Sequence, residues 1–441
     1  MKKLIILSIV ALSLSISSCK KYLDITPVGK VIPTTVSDFR ALLTSGYSTF
    51  PRHKALLAVR TDEFLLDEDS QDFPTLKDIY SWNDANPDGL TAPLPYMDFY
   101  KTIFCANEVI QDVEVKAGIS AETAQLKGEA YLLRAYAHFE LLNMYAKTYN
   151  KTTAGTDKGV PIATTIDLEQ KFPQASVEAV YTQIFSDLTV GQQLLNVDKW
   201  EAGKNYRFSK RAAQALAARI YEFRGEWDKA LTAAQNVLQA NNTLEDLNVS
   251  GSLLPNNYQS KENIMSLEDV MDARTSNIGI VSAHLIGIYD QTNDLRFSAY
   301  FGKSGGHYVS QKGNSNALKI TFRNGEMYLI VAEAALQTGN KDLALQQLLA
   351  LKAKRLKPAY FQTEKTRISA LSSADLLKEV YAERERELAL EGHRWYDLKR
   401  YGQPELKHTV SGVEYTLQKN DPRYTLRFPK GALANNPDLQ Q

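Results

Sequence analysis

Two segments of the chain repeat the same pattern of apolar, small and polar positions. Each pattern predicts a helix, a glycine turn and a second helix, with small residues where the two helices would cross. The shared positions are Ala218, Gly225 and Ala230 in the first segment and Ala332, Gly339 and Ala344 in the second. Small side chains let paired helices approach closely, and glycine is favoured just beyond the end of a helix. The pattern predicts two helical pairs of the tetratricopeptide kind.

Two more helical units and two irregular stretches complete the predicted architecture. A long apolar helix beginning at Gly128, together with helices before it, predicts a third unit, and the first helix with a segment from Ala374 predicts a fourth. Residues 62–100 and 241–319 have no sustained helical period. Long irregular stretches inside a compact domain are usually functional or disordered. We therefore expect a mostly α fold with a large irregular part, in a single domain over residues 37–441.

The first 36 residues have the pattern of a secretion signal followed by a tether. Lys2 and Lys3 precede an apolar run over residues 4–16, which is shorter than the roughly 20 residues needed to span a bilayer. Two serines then precede Cys19, as in a lipoprotein signal, although an ordinary signal peptide would share the earlier pattern. We predict a signal peptide at 1–18, an acylated Cys19 and an extended tether over 19–36. Two or three acyl chains would anchor the protein to a membrane without spanning it.

Composition argues against several classes of protein. The chain has 51 basic and 51 acidic residues, so it lacks the basic surplus typical of nucleic-acid binding. Cys105 is its one cysteine besides Cys19, which excludes an intrachain disulfide in the acylated protein and a cysteine pair for a metal. The 23 tyrosines outnumber the 16 phenylalanines. Tyrosine combines a flat apolar ring with a polar hydroxyl, which suits interfaces and sugar rings.

The stretch from 383 to 400 is the most informative part of the chain. Its spacing predicts a helix with ion pairs three residues apart: Glu383 with Arg386, Glu391 with Arg394, and Asp397 with Arg400. Apolar residues on one side, such as Leu388 and Trp395, indicate that this helix packs against the body of the protein. Gly392 in the middle predicts a kink or a close backbone approach.

The order of residues in this stretch, E-R-x-x-E-L-x-x-E-G-x-R-x-x-D-L-x-R, resembles the C-terminal signature of the SusD/RagB family. The segment from Lys20 to Pro27 also resembles the mature start of SusD-like proteins, and the resemblance covers nearly the whole chain from Cys19. Members of that family are outer-membrane lipoproteins that capture nutrients, mostly glycans, for a TonB-dependent transporter. The resemblance implies four helical units, irregular loops that form the ligand surface, a SusC-like partner, and a structural role for residues 383–400.

Catalytic and cofactor motifs are absent from the sequence. The six histidines form no H-x-x-x-H pair, and no nucleophile elbow, phosphate-binding loop or dinucleotide fingerprint occurs. The acidic run from Asp67 to Asp72 lacks the glycine and the terminal glutamate of a calcium loop, so we expect a solvated acidic loop. We predict no catalytic residue, no bound metal and no cofactor.

Aromatic residues in the two irregular stretches are the candidate ligand contacts. The first stretch supplies Trp82 and Tyr96, and the second supplies Tyr289, Tyr300 and Tyr308. Sugar rings present C–H faces that stack on exposed aromatic rings. The alternative is that each ring belongs to the core. The resemblance favours that alternative for Trp82 and Tyr96, because they match positions shared throughout the family.

The predicted function is non-catalytic binding of a glycan at the outer membrane, followed by hand-over to the TonB-dependent transporter. A protein-binding tetratricopeptide scaffold or a peptide-binding lipoprotein is the main alternative. A surface glycosidase is disfavoured because the sequence has no nucleophile or metal motif. Accessible aromatic rings in the irregular stretches would distinguish a ligand receptor from a scaffold.

Overall fold

The computed structural model describes residues 32–166 and 172–440. The predicted signal peptide, Cys19 and most of the predicted tether lie outside the described residues. The helices of the first half are α1 (Val36–Ser48), α2 (His53–Val59), α3 (Phe73–Tyr80), α4 (Met97–Ala117), α5 (Ala121–Tyr145), α6 (Val177–Leu194), α7 (Lys210–Arg224) and α8 (Trp227–Ala240). Those of the second half are α9 (Ala273–Ile278), α10 (Ala283–Gly287), α11 (Leu295–Tyr300), α12 (Asn324–Gln337), α13 (Lys341–Lys352), α14 (Pro358–Ser369), α15 (Ser373–Glu387), α16 (Arg394–Arg400) and α17 (Lys430–Asn435). The expectation of a mostly α fold is confirmed.

The helices pack in pairs, and small residues lie where they cross. α7 and α8 form one pair, and α12 and α13 form another, as the repeated pattern predicts. Gly225 ends α7 with a φ of 68°, and Gly339 follows α12 with a φ of 84°, in the left-handed region that favours glycine. α5 and α6 cross at Gly128 and Gly191, where an added Cβ on either glycine would lie 3.1 Å from the carbonyl oxygen of the other.

Within the described ranges, the strands form five antiparallel pairs. They are β1 (Phe64–Leu66), β2 (Lys158–Pro161), β3 (Gln174–Ser176), β4 (Asn263–Met265), β5 (Gly279–Val281), β6 (Phe301–Ser304), β7 (His307–Ser310), β8 (Phe322–Arg323), β9 (Leu406–Val410) and β10 (Val413–Leu417). β1 pairs with β5, with Phe64 opposite Val281. This pairing joins the two irregular stretches, which are distant in sequence, on one side of the helices.

The main apolar core runs from Phe39 in α1 to Leu439 near the C-terminus. It is continuous through the long helices α5, α7 and α12, whose side chains are buried on nearly all faces. Burial on nearly all faces places these helices in the middle of the protein. The first and last described segments therefore pack on the same helical scaffold.

The charged stretch from 383 to 400 is two helices and not the single helix that the sequence predicts. α15 ends at Glu387 and α16 begins at Arg394. Gly392 lies in the break with a φ of 78°, and a Cβ there would lie 2.5 Å from the Cβ of Lys54. The predicted close backbone approach is thus confirmed, within a break in which both Leu390, with a φ of 59°, and Gly392 have left-handed backbone.

Two of the three predicted ion pairs form. Glu383 binds Arg386 at 2.9 Å, and Asp397 binds Arg400 at 2.9 Å. The predicted pair of Glu391 with Arg394 is wrong, because the break between the helices separates the two side chains. Glu391 instead accepts hydrogen bonds from Lys312 and Arg323. Arg394 donates two hydrogen bonds to the carboxylate of Asp62.

Candidate functional site: a cleft lined by tyrosines

A polar cleft of about 740 Å³ opens between the end of α1 and the second irregular stretch. Its volume falls within the range of small-molecule sites. Its walls combine aromatic rings, amides and charged groups from five separate segments. We call it the tyrosine cleft and define it by Tyr47, Arg52, Asn205, Tyr206, Tyr258, Glu268, Asp269, Asn316 and Lys319.

Tyr47 fixes the wall formed by α1 and the segment before α7. It lies in the last turn of α1, is buried, and accepts a hydrogen bond from the backbone N–H of Phe208 at 3.0 Å. That bond holds the preceding residues against α1. The ring of Tyr206 consequently meets Tyr47 edge-on, with centroids 5.5 Å apart. The Tyr206 hydroxyl accepts from the guanidinium of Arg207 at 3.0 Å, which fixes its orientation further.

The opposite wall comes from residues that flank β4. Asn205 donates to the backbone carbonyl of Tyr258 at 2.8 Å and to the side-chain oxygen of Asn263 at 2.8 Å. These bonds hold Tyr258 beside the cleft, where its side chain is half-buried. Tyr258 is thus an aromatic ring with part of its surface accessible, in contrast to the buried Tyr47.

A carboxylate with one unused oxygen lies in the wall of the cleft. Glu268 is 4% exposed. Its Oε2 accepts from the hydroxyl of Tyr136 at 2.6 Å and pairs with the ammonium of Lys54 at 3.0 Å. Its Oε1 has no hydrogen-bond partner among the described residues. Burying a polar atom without a partner costs about 1 to 3 kcal/mol, so a hydrogen bond from a ligand hydroxyl that reached this buried oxygen would be favourable.

A second carboxylate lies beside Glu268 and is shared by two cations. Asp269 pairs with Arg52 at 3.0 Å and with Lys319 at 3.4 Å. The Arg52 side chain is 69% exposed, so it can rearrange towards a ligand at small cost. Together the cleft offers acceptors, donors and a tyrosine ring to a ligand with several hydroxyls and flat C–H faces.

Four of the five aromatic residues predicted as ligand contacts belong to the core, and in three of them protein groups cover the ring. Trp82 is 1% exposed, stacks on His408 at 4.2 Å and donates to the carbonyl of Arg60. Tyr289 is 5% exposed and donates to the carbonyl of Arg386. Tyr300 is fully buried beneath the ammonium of Lys312. Protein groups occupy these ring faces, so the structure does not support sugar stacking at these positions.

The other two predicted residues lie apart from the tyrosine cleft. Tyr96 is 6% exposed and borders an apolar cleft of about 580 Å³ beside Phe104 and Ala432. That cleft offers mainly hydrocarbon groups and suits a hydroxyl-rich ligand less well. Tyr308 is half-buried on the hairpin of β6 and β7, with its ring 5.3 Å from that of Phe297. The fold does not bring these two residues together.

Sequence reasoning missed Tyr206, Tyr258 and Glu268. Tyr258 lies inside the irregular stretch 241–319, but Tyr206 lies outside both stretches. Each tyrosine directly follows an asparagine, within a segment rich in turn-forming residues. That signal indicates an exposed tyrosine in a loop. It does not indicate which loops meet, because that depends on tertiary packing.

Two acidic groupings outside the tyrosine cleft have protein partners. In the run from Asp67 to Asp72, Glu68 accepts from the backbone and side chain of Ser411. Among the described residues, Asp62, His284 and Glu385 have ligand atoms within 4.8 Å of one another. However, Arg394 forks onto Asp62 and pairs with Glu385 at 3.0 Å. This guanidinium contacts both carboxylates and compensates part of their charge.

Within residues 32–166 and 172–440, none of the helices has the length and apolar character to cross a membrane.

Two family models match the chain. Residues 21–221 match a SusD-like family of starch-binding proteins that associate with the outer membrane, and residues 288–441 match the SusD family. A curated relative, the SusD-like protein P38 of Formosa agariphila, is 26% identical over 254 residues. That alignment covers 54% of this chain and 46% of the relative, so the match spans about half of each protein.

Solved structures share the fold over nearly the full chain. A SusD superfamily protein from Bacteroides thetaiotaomicron has a TM-score of 0.78 at 22% identity, covering 92% of this chain and 99% of its own. A laminarin-binding SusD-like protein has a TM-score of 0.62 at 20% identity, covering 84% and 92%. The two family matches together cover most of the sequence, at both ends, and the structural agreement extends between them. The chain therefore belongs to the SusD/RagB family of carbohydrate-binding proteins.

Proposed function

We propose that the protein binds a glycan in the tyrosine cleft, at the outer surface of the outer membrane, without chemical conversion of the ligand. The observation that carries this proposal is the unused Oε1 of Glu268 in the wall of a cleft with a half-exposed tyrosine. A hydrogen bond donated by a sugar hydroxyl to that oxygen would remove the cost of burying it unpaired. The ring of Tyr258 would stack on the C–H face of the same or a neighbouring sugar.

The proposed partner is a SusC-like TonB-dependent transporter that receives the glycan. Family membership supports this partner, and the predicted acyl anchor at Cys19 would keep the protein beside it. Purification of the tagged protein from native outer membranes should recover such a transporter in comparable amount. Recovery of the protein alone from gently solubilised membranes would contradict a stable partnership.

The binding proposal is tested by titrating oligosaccharides from laminarin, starch and other plant and algal glycans against the purified protein. At least one oligosaccharide should bind. Tyr258→Ala should lower the affinity for it about fivefold, which corresponds to about 1 kcal/mol for one ring contact. Tyr308→Ala is the matched control, because Tyr308 is also half-buried but lies outside the cleft. The same samples, incubated with the ligand, should release no shorter sugars.

Three other results would redirect the proposal. Loss of binding in Tyr308→Ala alone would move the site to the hairpin of β6 and β7. Release of shorter sugars would favour the glycosidase alternative. Failure of every glycan to bind the folded protein would leave a peptide or protein ligand as the function.

A further inference from the structure

Arg211 is a buried cation without a carboxylate partner. It lies in the first turn of α7 and is 8% exposed. Its guanidinium donates to the backbone carbonyl of Asn241 at 2.7 Å and to the side-chain oxygen of Asn324. Its Nε has no hydrogen-bond partner among the described residues, and none of their ion pairs includes Arg211. Burial lowers the pKa of this guanidinium to about 10.

Other buried arginines of the protein have the carboxylate partner that Arg211 lacks. Arg219, also on α7, binds Glu326 through two bonds of 2.7 Å. Arg355 binds both Glu262 and Glu387. A buried charge is costly unless an opposite charge compensates it. Arg211 is compensated by neutral oxygens alone, and its position at the positive end of a helix raises the local potential further.

A second cleft, of about 440 Å³, runs past this side chain. We call it the arginine cleft and define it by Lys199, Trp200, Asn205, Arg211, Tyr258 and Lys261. The two lysines are exposed, and the indole of Trp200 is half-buried. Glu201 also lines the cleft, but it pairs with Lys204 at 2.7 Å. The walls thus carry a surplus of positive charge.

The two clefts share a wall. Asn205 and Tyr258 line both of them. A single oligosaccharide can therefore contact the tyrosine cleft with one sugar and the arginine cleft with the next. The two clefts differ in charge. In the tyrosine cleft, the cations Arg52 and Lys319 lie beside two carboxylates, Glu268 and Asp269. In the arginine cleft, three cations lie beside one carboxylate, Glu201, which is already paired.

We propose that the arginine cleft binds an anionic group, a carboxylate or a sulfate, on an acidic glycan whose neighbouring sugar occupies the tyrosine cleft. This proposal rests on the proposed function and adds the class of glycan. One oxygen of the anionic group accepts from the free Nε of Arg211, and Lys199 and Lys261 neutralise the remaining charge. A uronic acid and a sulfate ester share this chemistry, and the experiment distinguishes them.

The experiment titrates three oligosaccharides of equal length: an oligogalacturonate, a sulfated carrageenan oligosaccharide and a neutral laminarin oligosaccharide. At low salt the wild type should bind one acidic oligomer about tenfold more tightly than the neutral one, the gain of one charge-assisted hydrogen bond. The advantage should shrink as sodium chloride rises from about 0.05 to 0.5 M, because salt screens exposed lysines. Whichever acidic oligomer binds better identifies the anionic group.

Two sets of variants assign the effect to this cleft. The double variant Lys199→Gln/Lys261→Gln changes two exposed residues and should keep the fold and lose most of the preference for the acidic glycan, measured as the ratio of its affinity to that of the neutral one. Arg211→Gln should abolish the preference. If Arg211→Gln fails to fold, Arg211→Lys provides the same test, since it retains the charge but loses the Nε donor.

The outcomes separate this proposal from the function on which it rests. Equal affinity for neutral and acidic oligomers at low salt overturns the anionic site and leaves the glycan receptor intact. If no oligomer binds, the anionic site is tested by the change in melting temperature that sodium sulfate or sodium galacturonate causes. A shift in the wild type that Arg211→Lys loses supports the anionic site while the glycan function fails, and the absence of any shift overturns both.

Discussion

Glu387 compensates three buried arginines at once. Its carboxylate lies 2.9 Å from Arg296, 2.6 Å from Arg323 and 2.8 Å from Arg355, and all four side chains are at most 1% exposed. Within such a cluster each charge is stabilised by its neighbours and not by water. The carboxylate therefore matters more to the fold than an exposed acid of the same type.

We predict that Glu387→Gln lowers the free energy of unfolding by about 3 to 5 kcal/mol, because it leaves three guanidinium groups with too little negative charge. The free energy is measured by urea denaturation of the purified protein. Glu414→Gln is the control, since Glu414 pairs with Lys407 and both side chains are more than half exposed. It should cost less than about 0.5 kcal/mol. Equal effects of the two variants would contradict the role of the cluster.

Glu63 gives a second prediction, because its charge is unfavourable in the folded protein. Burial raises its pKa to about 8, from 4.5, and its Oε2 has no partner among the described residues. Between these two values the folded state binds more protons than the unfolded state, so this group makes stability fall as the pH rises.

Glu63→Gln removes that contribution. The stability of this variant relative to the wild type should therefore increase from about pH 5 to pH 8, by at most about 1.4 kcal/mol per pH unit. Other titrating groups, such as Glu222 and Lys399, are present in both proteins and cancel in the difference. Urea denaturation at four pH values measures the difference in free energy of unfolding between the variant and the wild type. A difference that does not change with pH would contradict the prediction.

At the scale of elements, the break between α15 and α16 connects the charged stretch to the tyrosine cleft. Gly392 lies against the side chain of Lys54, and the ammonium of Lys54 pairs with Glu268 in the cleft wall. A methyl group at Gly392 would have to displace Lys54, because its nearest contact would be only 2.5 Å away. The close packing of this break thus helps to set the position of a proposed ligand contact.

Gly392→Ala should consequently reduce stability by clearly more than the strain of its backbone conformation alone. Gly412 is a matched control: it has the same φ of 78°, and an added Cβ there meets no atom within 4 Å. Gly412→Ala should cost about 1 kcal/mol, the usual cost of a left-handed alanine. Gly392→Ala should reduce stability by more than this, and it should also lower the affinity for any glycan that binds Glu268. Equal unfolding midpoints in the two variants would argue against the contact.

Prediction from sequence succeeded where the signal is local. The pairs α7–α8 and α12–α13 follow from small residues at fixed spacing, and Gly225 and Gly339 end helices as glycine does generally. The single helix predicted over 383–400 is two helices; Gly392 indicated a kink or a close approach, but charge spacing cannot reveal that Lys54 is the group beside it. The resemblance already favoured a core position for Trp82, whereas the burial of Tyr300 depends on tertiary packing that the sequence does not show. Short strands such as β1 and β5 stabilise irregular stretches through partners distant in sequence.

At the scale of the whole molecule, the predicted attachment at Cys19 determines where the cleft operates. Cys19 lies outside the described residues, and the described part begins at residue 32. Twelve intervening residues, 20–31, would allow the helical body to lie within a few nanometres of the lipid surface. An attached receptor of this kind binds its ligand at the membrane and not in the medium.

Cys19→Ala should release the protein from the outer-membrane fraction, because no acyl chain can then be attached. Sedimentation and incorporation of labelled palmitate measure the effect. Cys105→Ala is the control and should leave both unchanged, since Cys105 lies within α4. A Cys19→Ala variant that still sediments and takes up palmitate would contradict the predicted anchor.

The position of the charged stretch near the end of the chain has a consequence for biosynthesis. Arg296, Lys312, Arg323 and Arg355 are all made before Glu383, Glu387 and Glu391, which bind them. Without α15 and the residues after it, the carboxylates in contact with these four cations would be Asp294 and Glu262 alone. A polypeptide still emerging from the ribosome therefore cannot complete its core. Because these carboxylates come late in the chain, the charge cluster can be completed only after residue 391 has been synthesised.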